Sequence, residues 1–270
     1  MLKRTLVALI LLPIGLAFIW LGGWAFAALV ILILGLACWE YCQVFNTGGL
    51  KPATIIVVGG AILFGLGRQV NGFQSSPLII SLIILAAMAW HLLAYERGEN
   101  QAGTEFGVTV GGAFYLGWIG AYLISLRNLE DGLWWMLLVL PSAWLADSAA
   151  YMVGSQIGRH KMAPRLSPKK SWEGYIAGVI FGTLGGALIA AGIQAYLGAG
   201  TAITPLVGAL LGLVLSTLTT LGDLGESMIK RQFGVKDTGT LLPGHGGVFD
   251  RIDSWLWAAV LGYYLISLLV

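Results

Sequence analysis

Residues 24–45 read WAFAALVILILGLACWEYCQVF, an unbroken apolar stretch with one charged side chain, Glu40. As a helix rising 1.5 Å per residue, such a run reaches roughly 33 Å, enough to cross the ~30 Å hydrocarbon core of a bilayer. Eight further apolar runs lie on either side of it, at 5–21, 53–70, 78–95, 106–126, 133–157, 174–196, 203–229 and 254–270. Short polar or Gly/Pro-containing breaks separate most of them. Two breaks are longer, 158–173 and 230–253. Of the 270 residues, 57% are hydrophobic and only 10% are charged, against about 25% charged in an average soluble domain. A soluble domain, a disordered chain, a collagen-like repeat and a disulfide scaffold are all excluded. The predicted fold class is an all-α integral membrane protein, a polytopic bundle of about nine transmembrane helices.

The 53–70 run is the least clean, because only Ala53 to Leu66 is uninterrupted and runs of 10–14 residues also suit a re-entrant segment. Charge decides the matter. Cytoplasmic loops carry an excess of Lys and Arg. With the N-terminus cytoplasmic and all nine runs crossing, 13 of the 15 basic residues lie inside and only Arg68 and Arg127 lie outside. If 53–70 did not cross, both long basic loops would fall outside, so the run is read as a span. Lys3-Arg4, an apolar run and Ala25-Phe26-Ala27 mimic a signal peptide. The run flows straight into a second span, however, and exceeds the roughly 7–15 residues of a typical signal core. An uncleaved first helix is expected, in a multi-pass membrane protein.

Cys38 and Cys42 stand one helical turn apart with no other zinc ligand nearby and read as packing residues. Gly174, Gly178, Gly182 and Gly186 form a seam at every fourth position, which lets another helix approach closely. Whether that helix belongs to the same chain or to a second copy stays open. No inverted repeat of the kind many transporters use is visible.

The charges divide the chain. Residues 1–104 read as membrane scaffold helices and 105–270 as a catalytic membrane region. In the first part Glu40 stands out, and it reads as a side chain snorkelling to the cytoplasmic interface. In the second part Asp147 lies ten residues before Ile157, about 15 Å deep along a helix. Burying a carboxylate there costs roughly 2.5–3.5 kcal/mol, so intramembrane acids are functional candidates by default. The alternative is an Asp paired with a lysine or hydrogen-bonded to its neighbours. Asp223, Glu226, Ser227 and Lys230 share one helical face. A Glu226–Lys230 surface pair would explain Glu226 but not Asp223. Asp250 suits a helix N-cap, with Asp253 three residues on as in a capping box. The glycine-rich start of that helix equally suits an anion. The loop from Arg159 to Lys170 is basic throughout and would attract anionic headgroups. Acids inside and bases at the rim of one membrane face suggest a Mg²⁺ site facing bound phosphates. There is no P-loop motif.

The stretch SMIKRQFGVKDTGTLLPGHGGVFDRID, residues 227–253, resembles the signature of the phosphatidate cytidylyltransferases, the CDP-diacylglycerol synthases. Ser227, Lys230, Arg231, Lys236, Asp237, Pro243, His245, Gly246, Gly247, Asp250, Arg251 and Asp253 meet every fixed position of that pattern. The upstream SPKKSWEG segment, residues 167–174, and the many-span layout are similar as well. The resemblance implies that phosphatidate and CTP give CDP-diacylglycerol and pyrophosphate with Mg²⁺, in a homodimer whose site opens to the cytoplasm, with no nucleic-acid partner. The residues fit such chemistry. A lipid phosphomonoester is already largely ionised at neutral pH and needs no general base to attack the α-phosphorus of CTP. Phosphoryl transfer of this kind depends mostly on positioning and charge.

On this reading Asp223 and Asp250 bind Mg²⁺, while Asp147 and Asp253 hold a second cation or orient the ligands. Lys236 belongs with the catalytic set. Lys169, Lys170, Ser227, Lys230, Arg231, Arg251 and the Gly246-Gly247 backbone bind phosphate. His245 either donates to a phosphate or shapes the glycine turn. The rival enzyme is a cytidylyltransferase for another membrane lipid phosphate, such as a prenyl phosphate. The rival from another class is a transporter.

Overall fold

The computed structural model describes residues 2–241, 244 and 246–270, with side chains except those of 2–8 and 10. Pro243 and His245 of the signature thus lie outside the described residues. The chain forms α1 (Leu2–Leu21), α2 (Gly23–Thr47), α3 (Thr54–Asn71), α4 (Ser76–Glu96), α5 (Ala102–Gly112), a π-helical segment (Ala113–Trp118), α6 (Tyr122–Arg127), α7 (Gly132–Ile157), a short hairpin of β1 (Lys161–Ala163) and β2 (Ser167–Ser171), α8 (Trp172–Leu197), α9 (Pro205–Leu218), α10 (Thr220–Gln232) and α11 (Phe249–Leu269). Among the described residues, eight helical stretches are long and apolar enough to cross a membrane; α5 to α6 count as one and α9 to α10 as another. The uncertain 53–70 run is one of them, an unbroken 18-residue helix. The fold is the expected polytopic α-helical one.

Two compact units make up the chain, Met1–Asn128 with Ile229–Ile252 and Leu129–Met228 with Asp253–Val270. The sequence suggested a boundary near residue 104 because charge changes there. That is a division by function; the compact units are a division by packing, in which the fifth apolar run falls with the first four and Ile229–Ile252 joins them.

In the first unit, α2 and α3 pack on the segment from α5 to α6. Gly117 makes this possible, since a Cβ there would come within 2.9 Å of the Ala61 Cα. The core includes Phe64, Ile79, Ile83, Ala113 and Ala121, with Phe114 and Trp118 packed against it. The sharp turn from α1 into α2 uses Gly22 and Gly23, both at positive φ, where glycine is the favoured residue. The Arg127 guanidinium lies on Gly22 and donates to the carbonyls of Ile19 (2.7 Å) and Trp20 (3.3 Å). The last carbonyls of α1 thereby gain a cationic cap.

The glycine seam is settled inside the second unit. A Cβ on Gly186 would collide with the Gly208 carbonyl, one on Gly182 with Ser216, and one on Gly178 with the Ala146 carbonyl. The helix α8 is therefore pressed between α7 and α9 at backbone contact, within one chain. Tight packing of this kind is what holds helices together where lipid removes the usual hydrophobic drive.

Candidate active site

In the second unit, four elements bring charged groups together. Pro141 lies inside the continuous helix α7, and Asp147 follows on the same helix, exposed in the protein. The hairpin supplies Lys170. It is held by His160 and Glu173: the His160 backbone N–H donates to the Glu173 carboxylate at 3.1 Å, and the His160 Nδ1 lies 2.6 Å from it. Ser171 ends the hairpin as N-cap of α8, accepting from the Gly174 N–H. So anchored, β2 presents Lys170 to Asp223, Nζ to Oδ2, at 2.6 Å. Asp223 lies in the first turn of α10. Its neighbour Gly222 lets α10 approach α11, since a Cβ there would sit 2.7 Å from Trp257 and crowd the Asp253 carbonyl. This approach sets Asp253 beside Asp223.

Asp223, Glu226 and Asp253 each offer a carboxylate oxygen, and these oxygens lie within 4.8 Å of one another. Glu226 is almost fully buried, Asp253 nearly so. Asp147 interacts electrostatically with Asp223 and Lys170. Ser227 donates to Asp223 Oδ1 at 3.4 Å. Three acidic side chains converging on one point, with a lysine at their edge, form a cage of hard oxygen donors suited to a divalent cation. The sequence reading named Asp147, Asp223 and Asp253 but gave Glu226 no part, although its position three residues after Asp223 was the available signal.

In the first unit, the signature loop wraps around Asp250. Asp250 is not the N-cap of α11; it lies in the first turn and reaches back. Its Oδ1 accepts from Lys230 Nζ (2.6 Å), and its Oδ2 accepts from the backbone N–H groups of Gly247 (2.8 Å) and Thr238 (2.8 Å) and from Thr238 Oγ1 (3.0 Å). Gly246 stands at φ +84°, with Asp250 Oδ2 where a side chain would begin. Both carboxylate oxygens of Asp250 thus meet donors, Oδ1 from the last turn of α10 and Oδ2 from this loop. Lys236, Arg231 and Arg251 are exposed, and Arg231 donates to the Val235 carbonyl at 3.3 Å. Lys169 in the hairpin is exposed as well.

Glu40 corrects the sequence reading outright. It does not snorkel; it is 0% exposed. Its Oε2 accepts from the Phe249 backbone N–H (2.9 Å) and lies 3.1 Å from Thr238 Oγ1. No local spacing could have announced a partner 198 residues away.

Residues 2–269 match the family described as cytidylyltransferase. A phosphatidate cytidylyltransferase of Synechocystis is 32% identical over 301 residues, covering 99% of this chain and 97% of that protein. Its counterpart in Brucella suis is 35% identical over 262 residues, covering 96% and 91%. The one in Pseudomonas aeruginosa is 36% identical over 272 residues, covering 96% and 93%.

Proposed function

The chain belongs to the cytidylyltransferase family, and from that premise we propose that it joins CTP to phosphatidate at the membrane surface, giving CDP-diacylglycerol and pyrophosphate. The observation that carries the reading is the acidic cluster of Asp223, Glu226 and Asp253 with Lys170 paired to it. A transporter would also bury acids, but the basic hairpin and the basic signature loop serve anions of high charge.

In the reaction a phosphate oxygen of the lipid forms a bond to the α-phosphorus of CTP. The bond from that phosphorus to the bridging oxygen of the β-phosphate breaks, and pyrophosphate leaves. The nucleophile arrives ionised, so no side chain has to take a proton. The work of the protein is to position two anions and offset their repulsion. Lys170, Lys169, Lys230, Arg231, Lys236 and Arg251 are the cations assigned to the phosphates. The start of α11 already holds two carboxylates of the chain itself, Asp250 on the Gly247 N–H and Glu40 on the Phe249 N–H, so the phosphates fall to the basic side chains.

The donor set of Asp223, Glu226 and Asp253 fits Mg²⁺, which binds hard oxygen ligands and substrate phosphates. Bound there, the ion would supply positive charge to the triphosphate. Asp147 is assigned to orient this set or to help hold a second cation. Asp250, set with Asp223 as a Mg²⁺ ligand in the sequence reading, is also assigned to organise the signature loop, a role that the contacts of its oxygens with Lys230, Thr238 and Gly247 support. A homodimer and a site facing the cytoplasm of the bacterial plasma membrane come with the family likeness, and the bias of basic residues toward one face supports the second.

The test is purified protein with CTP, Mg²⁺ and either phosphatidate or a prenyl phosphate. Pyrophosphate release that depends on phosphatidate supports the proposal. Release with the prenyl lipid alone selects the rival substrate. Solute flux in liposomes without CTP turnover would point to a transporter.

A further inference from the structure

Glu40 is the buried ionisable group that the reaction above does not use. It sits on α2, inside a span, at 0% exposure. Its Oε2 accepts from the Phe249 N–H at 2.9 Å and faces Thr238 Oγ1 at 3.1 Å. Its Oε1 has no hydrogen-bond partner among the described residues and points at Gly239, where a Cβ would overlap it. A Cβ on Gly247 would likewise overlap Oε2 and the Thr238 hydroxyl. Two glycines of the signature loop thus owe their place to the space this carboxylate fills.

The contacts form a chain of command. Thr238 Oγ1 touches Glu40 on one side and Asp250 Oδ2 on the other. The first N–H groups of a helix lack intrahelical partners, and Glu40 satisfies the one on Phe249 from another helix. A negative side chain there also meets the favourable end of the α11 dipole. Burying a carboxylate inside a span is costly, and packing alone gives no return for it, since an aliphatic residue would fill the same space.

We propose that Glu40 is a positioning residue that clamps the signature loop, through Thr238 and the Phe249 N–H, onto the end of α2. The loop then keeps the Asp250–Lys230 pair and the basic residues around it in register for phosphate. This rests on the functional reading above in taking the loop to serve the reaction.

The experiment compares wild type, Glu40→Ala, Glu40→Gln and Glu40→Leu as full-length protein in lipid–detergent micelles. Amide exchange is followed in peptides from 236–250 and from 54–96, together with kcat and KM for CTP. In Glu40→Ala, exchange in 236–250 accelerates about tenfold or more, the factor matching one lost hydrogen bond to a charged acceptor. Exchange in 54–96 stays as in wild type, and kcat falls by a similar factor with KM little changed. Glu40→Gln keeps an oxygen for the Phe249 N–H and restores most of both. If Glu40→Ala cannot be purified, Glu40→Leu, which keeps the bulk and leaves the Thr238–Asp250 bond in place, decides: faster exchange confined to 236–250 supports the clamp, and wild-type exchange overturns it. Unchanged exchange and kcat in Glu40→Ala overturn it too, as does acceleration spread equally over 54–96, which would mean mere packing. A wild type without CTP turnover refutes the functional reading alone, since exchange still tests the clamp.

Discussion

Asp223→Asn separates a metal cage from a structural ion pair. Two unit charges 4.8 Å apart, the limit that encloses the three carboxylate oxygens, repel by about 3.5 kcal/mol at an effective dielectric of ~20. Water at Asp223, whose side chain is 37% exposed, screens part of this. The Lys170 pair that the substitution gives up is a half-exposed one, worth at most about 1 kcal/mol. The two effects oppose each other, so without divalent cation the variant is as stable as wild type or more so. With the cation the order reverses. At a concentration 100 times its Kd, Mg²⁺ stabilises wild type by about 2.7 kcal/mol. Losing even an outer-shell partner weakens metal binding about 10–100-fold, and at that level the gain drops to about 1.4 kcal/mol or less. Turnover falls about 10²–10³-fold, as when one preorganised electrostatic group is removed. The assay is denaturation with EDTA and with Mg²⁺, run beside pyrophosphate release. A variant with the wild-type Mg²⁺-dependent gain and wild-type turnover would refute the cage.

Three other substitutions extend the account. Glu226→Gln lowers the apparent Mg²⁺ affinity by about tenfold or more while leaving insertion intact, read by a Mg²⁺ titration of activity; an unchanged titration removes Glu226 from the cage. Gly247→Ala drives a methyl into Glu40 and Thr238, so turnover drops by about tenfold or more, with an overpacking cost of roughly 1–3 kcal/mol. Gly186→Val pushes a branched side chain against the Gly208 carbonyl and Gly212. It destabilises the second unit by about 3 kcal/mol or more, seen as loss of folded protein after extraction; wild-type yield would contradict the close α8–α9 contact.

The membrane fold was legible because each span needs only length and apolarity, both local properties of the chain. The basic residues then fixed the crossing of 53–70, which hydropathy alone left open. The acids of the site were visible for a similar reason: Asp147 and Asp223 are costly where they stand. What the sequence could not supply were contacts between distant segments. Glu226 was assigned to its neighbour on the helix because Asp253, on another helix, cannot be seen from spacing. Glu40 was read as reaching for water because its partners, Thr238 and Phe249, come about two hundred residues later. Asp250 looked like a cap or a metal ligand, and only the folded loop shows both of its oxygens already engaged.

The central claim is attack of a lipid phosphate on the α-phosphorus of CTP, and isotopic labelling of that phosphorus tests it most directly. With α-labelled CTP and phosphatidate, the account predicts label in the lipid-extractable product, with γ-label released as water-soluble pyrophosphate in equal amount. Label from the γ-position in the lipid, or none from the α-position, would contradict it.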